Sequence, residues 1–124
     1  MNAVRDACRF VESLHDHDGG YRIDAWPPVR RRPWWRRDAA AAVPWLRLGQ
    51  RRAAGFLNPV DDAVFLVAGL RGLGFPATFH LGREIVPAAS APGFFAWAEH
   101  DGHVLSTSLP VHETYLEVYR TEPR

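Results

Sequence analysis

Hydrophobic positions along this chain follow a helical period first and an alternating one later. Val4, Ala7, Cys8, Val11 and Leu14 recur at the spacing of one helix face, which predicts a helix over 2–15 stopped by the polar run Asp16 to Gly20. Helical composition returns over 38–53, with Asp38 as a cap and Pro44 in the first turns. Residues 59–72 carry the clearest helix signals. Asn58 is a natural N-cap, Pro59 suits the first position, and Asp61 and Asp62 sit where the helix dipole favours negative charge. Ala63 to Ala68 lacks a polar face, so this helix is expected to be buried on most sides. Strands are predicted near 76–82, 93–99, 102–107 and 113–120, with Asp101-Gly102 as a hairpin turn. In the last strand Thr114, Leu116, Val118 and Arg120 alternate with Tyr115, Glu117 and Tyr119, which predicts one packed and one exposed face. The predicted architecture is α+β: N-terminal helices, a buried central helix and a small antiparallel sheet.

Composition fits a modest core. With 124 residues, 47% of them hydrophobic, the chain is expected to form one domain over 1–124, with a helix and arm over 1–37 and the main body over 38–124. No apolar run approaches the roughly 20 residues a membrane span requires, and the N-terminus lacks a signal-peptide core. A cytoplasmic protein with no membrane partner is the expectation. The lone Cys8 forbids an intrachain disulfide and reads as a small buried hydrophobe. All fifteen basic residues are arginine, and they are unevenly spread: 1–54 holds eleven against six acids, whereas 55–124 holds four against eight. A basic first half can therefore attract an acidic partner although the net charge is only +1.

That charge concentrates in an irregular arm over 19–37, which is broken by Pro27, Pro28 and Pro33. Within it Arg30, Arg31, Arg32, Arg36 and Arg37 interleave with Trp34 and Trp35, a pattern able to clamp carboxylates or phosphates against aromatic rings. The competing reading packs this arm on its own domain, with the arginines solvated. A single patch and near-zero net charge argue against nucleic acid. His15 and His17 alternate with Asp16 and Asp18 and could aim two side chains at one ion. No third or fourth ligand accompanies them, so a solvated helix end is the favoured reading and no metal is assigned. With no serine or cysteine elbow to serve, no histidine is assigned as a general base, although His80 on its strand could approach Asp61 or Asp62 as a minor candidate for an acid–base pair.

Two further stretches carry a resemblance. Gly93-Phe94-Phe95-Ala96-Trp97-Ala98-Glu99 followed by His100-Asp101-Gly102 reads as a strand and turn, and Leu70-Arg71-Gly72-Leu73-Gly74-Phe75-Pro76-Ala77 as a turn out of the central helix. Together they resemble the transglutaminase-like (papain-type) superfamily, in particular its bacterial lasso-peptide leader peptidases. In that branch the strand runs Ala-His-Ala-Trp-Val-Glu and a cysteine nucleophile opens the helix before a Gly-x-Pro-Ala turn. Here Phe95 occupies the histidine position, Asn58-Pro59-Val60 the cysteine position, and Ser106-Thr107-Ser108 the acidic position. The resemblance implies a family member without its Cys-His-Asp triad, hence without cysteine-peptidase or transglutaminase activity.

By the same resemblance, the old cleft would hold a ribosomally made precursor peptide, or its modified form, during maturation. Asn58, Phe94, Phe95 and Trp97 would line the groove, the arginine arm would hold acidic parts of the peptide, and other maturation enzymes would be partners. No cofactor is implied. One competing reading is an enzyme using this cleft for cyclisation or isomerisation, with Asp61, Asp62, His80 or Glu99 in acid–base roles. Another is a structural subunit whose aromatic patch is a homo-oligomer interface.

Overall fold

A computed structural model describes residues 2–15, 25–30, 39–86 and 93–121. Helices α1 (Asn2–Leu14), α2 (Ala39–Ala53) and α3 (Pro59–Gly72) precede strands β1 (Thr78–Glu84), β2 (Phe94–His100) and β3 (His103–Val104). A short helix α4 (Val111–Thr114) leads into β4 (Tyr115–Arg120). The fold is α+β, with one antiparallel four-stranded sheet in the order β3-β2-β1-β4.

Helix α3 forms where its caps direct it. Asn58 is extended and accepts the Asp61 N–H at 2.8 Å, while Pro59 takes the first turn. At the other end the Phe75 N–H reaches the Leu70 carbonyl and the Gly74 N–H reaches that of Arg71, the paired bonds of a Schellman stop. Between these ends Ala63 to Arg71 is buried, because α1 and α2 cover one side of α3 and the sheet covers the other.

The sheet has two unlike faces. Phe79, Ala96 and Ala98 join the helix-side core, with Leu81 packed against it. His80, Trp97 and Glu99 alternate with them on the far face, which α4 roofs through the buried Val111 and the edge contact of His112 with Trp97. Gly82 lies beneath this roof, where an added Cβ would meet Tyr115 Cβ at 2.7 Å and the Trp97 ring at 2.8 Å. The β2–β3 turn places Asp101 at φ 51° and Gly102 at φ 77°, the left-handed pair of a two-residue hairpin.

Three predicted details are corrected. β3 ends at Val104 instead of 107, because the Ser106 hydroxyl, not a backbone carbonyl, accepts the Ala98 N–H at 2.9 Å. Residues 111–114 are helical. β4 then pairs Gly82 with Glu117 but Leu81 with Tyr119, leaving Val118 as an extra bulged residue. The simple alternation is thereby broken: Leu116 and Val118 are 54% and 50% exposed, and the contacts are made by Tyr115, Glu117 and Tyr119.

The described part of the arm, residues 25–30, lies on the body. Trp26 packs between Phe10 and Phe79, with ring centroids 5.3 and 5.1 Å away. Arg71, only 2% exposed, donates from Nε to the Ala77 carbonyl at 2.9 Å and from Nη1 to the Pro27 carbonyl at 3.0 Å. Burial lowers the pKa of this guanidinium from its ordinary value.

Candidate functional site

The start of α3 is where several predicted residues meet. Asp62 receives a two-pronged bond from Arg47 of α2, with Nη1 at 3.0 Å and Nη2 at 3.1 Å, and a third from the buried Gln50 amide at 3.0 Å. Arg47 Nη2 also donates to the Ser106 carbonyl at 2.5 Å, tying α2, α3 and the segment after β3 at one point. Asp61 is held separately: His15 Nε2 lies 2.9 and 3.0 Å from its two oxygens, and Asn58 Nδ2 donates at 3.3 Å. The imidazole beside α3 is thus His15 of the N-terminal segment, whereas His80, the minor candidate for that place, sits with Glu99 and Glu117 on the far face of the sheet.

Beside Asp62 opens a cavity of about 200 Å³. Arg47, Gln50 and Asp62 give it a polar wall, Phe56 and Leu57 an apolar rim, and Pro59, Phe95, Ala96, Ser106 and Thr107 the rest. Phe56 is 85% exposed, and the Arg51 guanidinium lies over its ring at 4.8 Å. Such a cation–aromatic pair at a cavity mouth offers both charge and apolar area to an incoming chain. Pro59, Phe95 and the Ser106–Thr107 pair lie far apart in sequence, yet all border this cavity. None of them is a thiol, an imidazole or a carboxylate.

The other candidates distribute elsewhere. Phe94 is 59% exposed and Trp97 is fully buried under α4, neither of them lining the cavity, whereas Phe95 lines it while stacking on Tyr115 at 5.4 Å. Arg30 is an exposed residue 3.6 Å from Asp6. Arg31, Arg32, Trp34, Trp35, Arg36, Arg37 and His17 lie outside the described residues. Cys8 is partly buried in a groove between α1 and α2. Burial, and then the Glu12 carboxylate, raise its pKa, which disfavours the thiolate a nucleophile needs. Two larger grooves, about 460 Å³ each, flank α1, but their linings are mostly apolar and hold few groups suited to chemistry.

His80 and Glu99 do come together, on the far face of the sheet. His80 Nε2 is 3.8 Å from Glu99 Oε2, His80 Nδ1 bonds to Glu117, and His112 Nε2 lies 3.1 Å from Glu99 Oε2. Sequence spacing does not reveal this group, because it spans β1, β2, α4 and β4 and depends on the strand register. Comparison of the chain with family models, curated proteins and solved structures finds no match.

Proposed function

We propose that this chain is a catalytically silent relative of the transglutaminase-like superfamily, which binds a ribosomally made precursor peptide in the α3 cleft during that peptide's maturation. One observation supports the reading above the others. The positions assigned by resemblance to nucleophile, base and acid border one cavity and carry no group able to play those parts. The cleft is nonetheless built for contact, with Arg51 over Phe56 at its mouth and Arg47 in its wall. Arg47 is engaged by Asp62 and the Ser106 carbonyl, so peptide carboxylates would meet the exposed Arg51 guanidinium. Apolar side chains would meet the Phe56 rim, with the arginine arm holding acidic parts of the peptide.

Acid–base catalysis in the same cleft is the weaker reading. Asp62 is occupied by Arg47 and Gln50, Asp61 by His15 and Asn58, and His80 and Glu99 belong to the other face of the sheet. The test is mass spectrometry of peptides that co-purify with the protein from its native host, followed by calorimetry with the peptide identified. Phe56→Ser and Arg51→Gln change exposed groups and should leave folding intact while weakening the peptide roughly tenfold or more. A protein that captures no peptide, or variants that bind it as tightly as wild type, would refute the assignment.

A further inference from the structure

We propose that His80, Glu99 and Glu117, with His112 beside them, form a binding site for one divalent transition-metal cation of the zinc class. The first three come from β1, β2 and β4, and one donor atom from each lies within 4.8 Å of the others. His80 is 5% exposed and Glu99 9%, so an imidazole and a carboxylate are held together out of water. Their neighbours aim them. Trp97 Nε1 donates to Glu99 Oε2 at 2.7 Å, and His80 Nε2 lies 2.7 Å from Thr78 Oγ1, which leaves Nδ1 as the nitrogen turned toward Glu117. Outer bonds of this kind fix the rotamer and tautomer of metal-binding side chains.

The donor set selects the ion. Imidazole with carboxylates suits zinc and its first-row neighbours, whereas magnesium takes oxygen ligands and keeps much of its water. Tetrahedral zinc, with bonds of about 2.0–2.2 Å, spaces its donors roughly 3.3 Å apart. His112 Nε2 and Glu99 Oε2, at 3.1 Å, already match that spacing. The His80, Glu99 and Glu117 group must contract, and the freedom to do so sits at the rim, where the Glu117 side chain is 32% and that of His112 61% exposed. Without a cation, hydrogen bonds hold these groups to one another. A bound ion takes the place of the shared protons and releases them.

Calorimetric titration of chelator-treated full-length protein with zinc chloride tests the site. The expected result is one zinc per chain, no binding of magnesium chloride, and affinity at least tenfold lower in Glu117→Gln and His112→Asn. The sequence also offers a competing zinc binder at its N-terminal His-Asp run, so a His15→Asn, His17→Asn variant is titrated in parallel and should bind like wild type. Cobalt substitution supplies a second readout: visible absorption of a four-coordinate ion in wild type, lost in Glu117→Gln. Zinc binding that vanishes with His15 and His17, that persists undiminished in Glu117→Gln and His112→Asn, or that is absent from wild type overturns the proposal.

Discussion

Asp61 and Asp62 are neighbours in sequence, yet each is held by a different part of the chain. Asp62 takes the fork of Arg47 and the Gln50 amide, so Arg47→Ala strands a partly buried carboxylate and should cost about 1–3 kcal/mol in urea unfolding. Adding Asp62→Asn to that variant should recover part of the loss, because the stranded charge is gone. Gly82 is constrained differently. An added methyl would press on Tyr115 and Trp97, both fixed by the roof of the sheet, so Gly82→Ala should destabilise by about 1–3 kcal/mol. For Cys8 the raised pKa has a definite sign: less thiolate is present near neutral pH than for an ordinary thiol. Its alkylation by iodoacetamide should be slow at pH 7, rise only well above pH 8, and leave peptide binding unchanged.

At the scale of elements, α3 is the piece whose loss removes both sheet packing and cleft. Phe65 and Leu66 are fully buried on it, so Phe65→Asp should abolish the cooperative melt, since an unpaired interior charge costs several kcal/mol out of roughly 5–15. The bounds of this helix were legible because Asn58-Pro59 and the acidic first turn are local signals. The hairpin turn at Asp101-Gly102 was legible for the same reason. The ends of β3 and the shape of β4 were not. Ser106 replaces a ladder bond with its hydroxyl, and the bulge at Val118 is decided by what β1 presents across the sheet. Neither leaves a local trace. The candidate site divides likewise: Asn58 and Pro59 announce themselves, whereas the partners of His80 depend on the register of three strands, and Trp97 pointed to a groove although its ring is sealed beneath α4.

Across the whole molecule, residues 25–30 of the arm are joined to the body by Trp26 and Arg71, with the exposed Arg30 side chain adding a pairing to Asp6 at 3.6 Å. The Arg71 guanidinium holds the Pro27 carbonyl, and the Arg71 carbonyl accepts the Arg30 N–H at 2.9 Å, so one buried residue fixes both ends of residues 27–30. Trp26→Ala should therefore lower stability by about 2–4 kcal/mol, read from thermal melts, whereas Arg30→Gln should barely register because its pairing with Asp6 is exposed.

The bulge in β4 has a further consequence for how these molecules behave in crowded solution. β4 ends the sheet, and a long flat terminal strand invites a second molecule to extend the ladder. One surplus residue at Val118 twists that border away from flatness while keeping Glu117 and Tyr119 on opposite sides of the sheet. Deleting Val118 keeps that facing but straightens the strand, beside the exposed Leu116. The shortened protein should scatter light increasingly with concentration and time, whereas the natural chain stays clear.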